Sequence, residues 1–284
     1  MEIIENPQRM QERANQLRAE DKTIGFVPTM GYLHEGHLSL MRRARGECQV
    51  SVLSIFVNPT QFGPREDLDR YPRDMEGDLQ KAASEQVDLV YLPSARDMYP
   101  AGFRTYVTVE ELSEKLCGAS RPGHFRGVTT VVLKLFNLVK PHRAYFGEKD
   151  YQQLTIIRKM VEDLNLDLQI VGMPTVRESD GLAMSSRNAY LSAGERRSAL
   201  SLSRALKRAG EMVAGGERSA ALLREEIRRT IEEEPNTQID YIAVSHPLTL
   251  KDLERIAGPA LIALAVQVGS TRLIDNCIVE AHAQ

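Results

Sequence analysis

Two histidines carry the first hint of chemistry in this chain. His34 and His37 close the run Pro28-Thr29-Met30-Gly31-Tyr32-Leu33-His34-Glu35-Gly36-His37. A short apolar run over 24–27 leads into it. A helical pattern begins near Gly36, with Leu38, Met41 and Ala44 spaced to share one face. The imidazoles therefore fall where a strand crosses into a helix. Unpaired backbone N–H groups and the positive end of the helix dipole gather at such a helix start, which suits an anion such as phosphate. Gly31 and Gly36 can adopt turn conformations and let a ligand approach the backbone. Imidazoles beside that turn donate to phosphate oxygens, more strongly when protonated. Taken alone, the four residues also fit ordinary surface-loop histidines. They fit a metal site less well, because no Cys or further His lies nearby to complete a ligand set.

Two further groups recur at similar places. Lys149 lies on the Gly-containing turn Gly147-Glu148-Lys149-Asp150 before a helical pattern, and Met184-Ser185-Ser186-Arg187 follows a breaker-rich segment. A lysine, hydroxyls and an arginine are the groups expected to hold a polyphosphate and to offset charge building on a leaving pyrophosphate. Separately, Lys149 reads equally as an exposed lysine and Ser185 to Arg187 as a helix-capping turn. Together, on one predicted rim, they favour a nucleotide polyphosphate.

The elements that must position these groups alternate. Asn6 can cap a first helix with Pro7 at its first position and Met10, Ala14 and Leu17 as its apolar stripe. The run over 49–57 is nearly all apolar and rich in β-branched residues, as in a parallel strand buried on both faces, and Pro59 ends it. A solvated, charged loop is expected over 63–74, then a helix over 74–86 and strands over 87–92 and 104–109. A short helix or turn over 112–118 precedes a loop over 120–127. That loop holds Arg121, His124 and Arg126, which either contact an anionic substrate or are merely solvated. A helix over 128–139, a strand over 143–146, a helix over 151–164 and a strand over 168–171 complete the alternation. The pattern predicts an α/β fold, a Rossmann-like doubly wound parallel sheet with helices on both faces. In such sheets ligands bind beyond the strand C-terminal ends. The loops holding the three groups fall there.

The segment over 172–181 is rich in breakers and reads as a linker or hinge. Helices over 192–214 and 219–233 and strands over 239–245, 260–268 and 272–279 predict a smaller α+β domain. The expected division is 1–176 and 177–284.

Composition narrows the function classes. Of 284 residues, 42% are hydrophobic and 26% charged, an ordinary globular balance. A net charge of −3 announces no nucleic-acid partner. Cys48, Cys117 and Cys277 are odd in number and widely spaced, which suggests free thiols in a reducing cytosol rather than a disulfide framework. No signal-peptide core opens the sequence, and no run approaches the roughly 18 apolar residues of a membrane span. A soluble, cytoplasmic protein is expected.

Five blocks, in order, resemble the pantoate–β-alanine ligase (pantothenate synthetase) family. They are Pro28-Thr29-Met30-Gly31-x-Leu33-His34-x-Gly36-His37, Phe56-Val57-Asn58-Pro59-x-Gln61-Phe62, Arg121-Pro122-Gly123-His124-Phe125-Arg126-Gly127, Phe146-Gly147-Glu148-Lys149-Asp150-Tyr151-Gln152-Gln153 and Ser185-Ser186-Arg187-Asn188. The resemblance spans essentially the whole chain and is strongest over 24–190. The wider superfamily of nucleotidyltransferases and class I aminoacyl-tRNA synthetases shares the His-x-Gly-His idea. It usually carries a Lys-Met-Ser-Lys-Ser-type second motif, where this chain reads Ala183-Met184-Ser185-Ser186-Arg187.

The resemblance implies ATP-dependent ligation of pantoate and β-alanine through a pantoyl adenylate. It implies that Met30, Gly31, His34, Gly36 and His37 line the ATP site, with His37 the usual proton donor. Gly147, Glu148, Lys149 and Asp150 would also bind ATP, with Lys149 on phosphate. Val176 would touch adenine by its backbone, and Met184, Ser185, Ser186 and Arg187 would close over the phosphates. Gln61 and Gln153 would hold pantoate, Gln61 also bordering β-alanine, and Asn58 would help near the phosphates. Mg2+ would arrive with ATP, no protein metal ligand is assigned, and a homodimer is implied. A nucleotidyltransferase acting on a phosphorylated acceptor, a regulatory nucleotide-binding module and a tRNA-charging enzyme are the alternatives. Gln61 and Gln153, rather than extra basic residues, favour an unphosphorylated acid, and no basic anticodon-binding domain is present.

Overall fold

A computed structural model of the chain describes residues 1–64 and 66–281. It divides into two compact units. The first comprises Met1–Ser113, Arg121–Glu148 and Gln153–Pro174; the second comprises Glu114–Ser120, Lys149–Gln152 and Thr175–Gln284.

The first unit is built on a parallel sheet. Its strands are β1 (Glu2–Ile4), β2 (Ile24–Thr29), β3 (Val50–Ile55), β4 (Leu89–Tyr91), β5 (Arg143–Gly147) and β6 (Gln169–Met173), in the spatial order β1-β4-β3-β2-β5-β6. The helices of this half are α1 (Pro7–Ala19), α2 (Glu35–Glu47), α3 (Met75–Ser84), α4 (Ala95–Met98), α5 (Cys117–Ser120), α6 (His124–Val139) and α7 (Tyr151–Asp163), although α5 belongs to the second unit. Successive strand residues point to opposite faces. Val27, Leu53 and Val90 therefore pack with Leu40, Met41 and Ala44 of α2 and Ala82 of α3. Phe26, on the other face, meets Phe136 of α6 edge-on at 6.4 Å. The chain runs from β2 outward through β3 to β4 and later returns to lay β5 on the free side of β2. The switch point thus lies between β2 and β5, where such sheets bind ligands.

Asn6 caps α1 by accepting the Arg9 amide at 3.0 Å, and Met10, Ala14 and Leu17 are its buried face, as expected. On α2, Leu40, Met41 and Ala44 are the buried set, and Leu38 is only partly covered. Three expectations need correction. Strand β1 was not anticipated. No strand forms over 104–109, because side chains rather than a neighbouring strand satisfy the Val107 backbone. Its amide donates to Thr130 Oγ1 at 3.0 Å and its carbonyl accepts from Thr129 Oγ1 at 2.7 Å. Helix α6 begins at His124, not at 128, because Gly123 turns the chain with a φ of 85° and frees the next residue to start the helix. The polar stretch over 63–74 is irregular, as expected, though its Arg65 lies outside the described residues.

The second unit holds helices α8 (Ala193–Ala214) and α9 (Ala220–Glu232) and an antiparallel sheet of β7 (Thr237–Ser245), β8 (Pro259–Val268) and β9 (Thr271–Glu280). Ser192 and Glu195 form a capping box that starts α8. Leu202, Leu206, Leu223 and Ile227 pack on Ile262, Leu264 and Val266 of the central strand. The breaker-rich stretch after β6 is a hydrogen-bonded hairpin rather than a bare linker. Met184 N donates to Val176 O at 3.0 Å, and Glu178 N to Leu182 O at 2.8 Å.

Candidate active site

In the first unit the turn after β2 brings its two imidazoles together. The rings of His34 and His37 stand 4.1 Å apart, centroid to centroid, tilted by 34°. His34 N donates to His37 Nδ1 at 3.3 Å, and His37 N donates to His34 O at 2.8 Å. With Nδ1 accepting, a neutral His37 carries its proton on Nε2, the tautomer that can give a proton outward. Gly36 leaves the room this packing needs: a Cβ there would come within 2.9 Å of His34 Cε1. Gly31, at φ +85°, occupies the left-handed region. The Asp78 carboxylate of α3 accepts the Tyr32 and Leu33 amides of the same turn.

The end of β3 supplies the next group. Gln61 ends the 3-10 turn Pro59–Gln61, and its Nε2 donates to Met30 Sδ at 3.1 Å. Asn58 is 1% exposed, and its Nδ2 donates to both Gln61 Oε1 at 3.0 Å and the Gly127 carbonyl at 3.1 Å. Its amide hydrogens are spent on holding Gln61 and α6. The Gln61 carbonyl lies 2.8 Å from His124 Nδ1 and accepts from Arg121 at 3.3 Å. Arg121 also grips Glu66 through two bonds, at 2.8 and 2.6 Å. Burial pushes the Glu66 carboxyl up, and the Arg121 guanidinium overrides it, leaving it below the ordinary carboxylate value. Arg126 stacks over the Tyr106 ring at 3.7 Å. Arg121 and His124 are thus packed rather than merely solvated, Arg126 stays exposed on its ring, and the charge of Glu66 is paired. Gly127 permits the close approach, because a Cβ there would lie 2.4 Å from the Thr60 carbonyl oxygen. Gly147 ends β5, next to β2, and Glu148 follows it. Gln153 is half-buried in the first turn of α7.

The second unit holds the remaining candidates. The Lys149 carbonyl accepts from Asn276 Nδ2 of β9 at 2.8 Å, and Lys149 Nζ stands 3.9 Å from Asp150. The neighbour of Asn276 on β9, Asp275, is buried. It accepts two bonds from Arg177, at 2.7 and 3.0 Å. That bonding raises the Arg177 pKa above its ordinary value. Arg177 lies at the base of the hairpin that leads from Val176 to Met184. Beyond it Ser185 Oγ accepts the Arg187 amide at 3.3 Å, capping a 3-10 turn that starts at Ser186. Adjacent residues of β9 therefore tie down both the Lys149 turn and the hairpin before Ser185. Burial pushes the Cys277 thiol up to about 12, which keeps it a neutral thiol rather than a nucleophile.

The family model described as Pantoate-beta-alanine ligase matches residues 2–278. The chain belongs to that family. It is 57% identical over 282 residues to the pantothenate synthetase of Moorella thermoacetica, covering 99% of this chain and all of that one. To the pantothenate synthetase of Heliobacterium modesticaldum it is 59% identical over 280 residues, again 99% of this chain and all of the relative. Among solved structures, pantothenate synthetase from Thermus thermophilus superposes with a TM-score of 0.93 at 46% identity, over 98% of this chain and 99% of that one. The pantoate-beta-alanine ligase from Francisella tularensis, complexed with beta-gamma ATP and beta-alanine, superposes at 0.81 with 36% identity, over 98% and 97% of the two chains.

Sequence reasoning missed three residues that hold candidate groups within their own units in this member of the pantoate-beta-alanine ligase family: Asp78 in the first, and Asp275 and Asn276 in the second. Each partner lies far along the chain, 45 residues for Asp78 and Leu33, 98 for Asp275 and Arg177, and 127 for Asn276 and Lys149. No local spacing marks such pairs. Among the described residues, no group of three His, Cys, Asp or Glu side chains is placed to hold a metal ion, and no helix is long and apolar enough to cross a membrane.

Proposed function

We propose that the protein ligates (R)-pantoate to β-alanine, forming pantothenate with AMP and pyrophosphate as the other products. The observation that carries this is the His34–His37 turn at the β2–β5 switch point of a chain that matches the ligase family from residue 2 to residue 278. A pantoate carboxylate oxygen bonds to the α-phosphorus of ATP. The bond from that phosphorus to the β-phosphate bridge breaks, and pyrophosphate leaves with the electron pair. The β-alanine amine, as free base, then bonds to the acyl carbon. The bond from that carbon to the AMP oxygen breaks, and the proton from nitrogen passes to solvent.

No protein nucleophile is required. Orientation alone is worth roughly 7–11 kcal/mol in such reactions. His34 and His37 bind phosphate oxygens, with His37 Nε2 giving its proton toward the leaving group. Met30, Gly31 and Gly36 line the nucleotide beside them. Gly147, Glu148, Lys149 and Asp150 bind ATP, Lys149 at a phosphate. Val176 meets the adenine, and Met184, Ser185, Ser186 and Arg187 cover the phosphates. Gln61 and Gln153 hold pantoate, and Asn58 acts by fixing Gln61. Mg2+ enters as part of the MgATP substrate, held by phosphate oxygens and water. The 177–284 domain closes on the ATP- and pantoate-binding domain, 1–176, and shields the adenylate from water. The enzyme works as a homodimer in the cytoplasm.

Pyrophosphate release from MgATP tests this. Release that needs pantoate without β-alanine, with turnover to pantothenate and AMP once β-alanine is added, is the expected result. ATP binding without pantoate-dependent release would leave a nucleotide-binding regulatory module instead. For closure, small-angle scattering with a non-hydrolysable ATP analogue and pantoate should report a smaller radius of gyration; an unchanged radius would remove it. Sedimentation at micromolar concentration should give twice the chain mass, and a monomer would refute the dimer.

A further inference from the structure

The turn that carries the histidines has an unusual anchor. Gly31 and Tyr32 both have positive φ, +85° and +52°, and Tyr32 is the kind of residue that resists this region. A non-glycine residue persists there only where the surrounding structure over-determines the conformation. Successive amides in such a turn form a concave cradle that binds anions. Here the anion is protein. Asp78, 1% exposed in α3, accepts Tyr32 N through Oδ2 and Leu33 N through Oδ1, both at 2.7 Å. Lys81, one turn further along α3, donates to the Leu33 carbonyl at 2.9 Å. The helix thus grips one stretch of backbone at both poles. With Gly31 N on Thr29 Oγ1 and His34 N on His37 Nδ1, four successive amides end on side chains. A Cβ on Gly31 would lie 2.9 Å from Asp78 Oδ2, so the carboxylate fills the space a side chain would take.

We infer that Asp78 is a positioning residue for the adenylation step, its carboxylate locking the left-handed turn at 31–32 that sets where His34 and His37 stand. The inference rests on the ligase reading above. A consequence is that the Tyr32 and Leu33 amides serve the protein and not the nucleotide. Asn in place of Asp keeps the shape but turns an NH2 toward one of the amides, which forces the turn to shift.

The test is a double-mutant cycle on pantoate-dependent pyrophosphate release, with Asp78→Asn, His37→Ala and the pair. Asp78→Asn should lower kcat by about 10²-fold, the scale of a misplacement near 1 Å, and change the KM for ATP far less. In the His37→Ala background the same change should cost distinctly less, about tenfold, because one of the two imidazoles it positions is gone. Equal factors in both backgrounds, or a normal kcat, would overturn the inference. Lys81→Met, on the part-exposed pole of the clamp, provides the cycle if Asp78→Asn does not fold. It should lower kcat by a smaller factor and be equally non-additive with His37→Ala; multiplicative factors there would overturn the inference too. A wild-type protein that binds MgATP but releases no pyrophosphate with pantoate would sink the ligase reading itself. A wild-type rate with an unaffected Asp78→Asn would sink only the role of Asp78.

Discussion

The two units hold their candidate ligand groups by different means. In the parallel-sheet unit the grip is on backbone at close range: α6 meets the Thr60 carbonyl across Gly127, and the Asp78 carboxylate lies in the amide cradle of the histidine turn. In the antiparallel unit the grip comes from one strand, where Asp275 pairs with the Arg177 guanidinium and Asn276 holds the Lys149 carbonyl. Each half is therefore vulnerable at a different place. The first has no spare volume at its contacts, and the second depends on one buried charge. Each device fixes polar groups within its own unit, and on the proposed ligase reading that is the preorganisation catalysis requires.

The largest effect should come from the second unit. Lys149→Ala should lower the adenylation rate by about 10²-fold, the scale for removing one donor from developing charge. Its thermal midpoint should stay near wild type; an unchanged rate in stopped-flow or single-turnover assays would take Lys149 out of the chemistry. Asp275→Ala comes next, with a loss of about 2–3 kcal/mol in urea denaturation. It strands a guanidinium whose side chain is 32% exposed, so the cost falls short of a fully buried break. A loss under about 0.5 kcal/mol would show that β9 does not depend on this charge.

Gly127→Ala probes the other device. One methyl group would meet backbone atoms of Thr60 and Gln61, which cannot rotate away, and overpacking of this kind costs about 1–3 kcal/mol. The KM for pantoate should rise with it, because Gln61 moves. A neutral result would mean that α6 tolerates displacement and that volume is not the limit in this unit.

The smallest effect is electrostatic. The folded Glu66 carboxyl lies below its ordinary value, so its contribution is present above the unfolded carboxylate range and is lost as pH falls through the lowered value. The urea midpoint of Glu66→Gln should therefore fall less steeply below about pH 5 than that of wild type. Parallel curves would remove the Arg121 pair from the stability of the loop.

Much of this architecture is legible in residue types and spacing alone. The continuous apolar run at β3 and its alternation with helical stripes point to a sheet buried on both faces, and three of the five family blocks fall at the ends of β2, β3 and β5. The smaller α+β half was also legible, because the stripe of Leu223, Ile227 and Ile231 on α9 and the β-rich runs after it have clear periods. What escaped was set by distant partners. Val107 reads as strand by residue type, yet two threonines of α6 take its backbone bonds. Gly123 hid the true start of α6, since the polar residues after it look like a loop. The three-residue β1 is too short to show a period, and it exists because β4 offers an edge. Asp78 looks like any helical surface carboxylate until α3 is laid against a turn 45 residues earlier.

Whether pantoate is activated as an acyl adenylate is decided by an isotope. Pantoate labelled with 18O in its carboxylate, turned over with MgATP and β-alanine, should deliver one labelled oxygen to AMP, raising its mass by about two units, with pyrophosphate unlabelled. Label in inorganic phosphate with ADP as product would mean attack at the γ-phosphorus and an acyl phosphate, and would contradict the account.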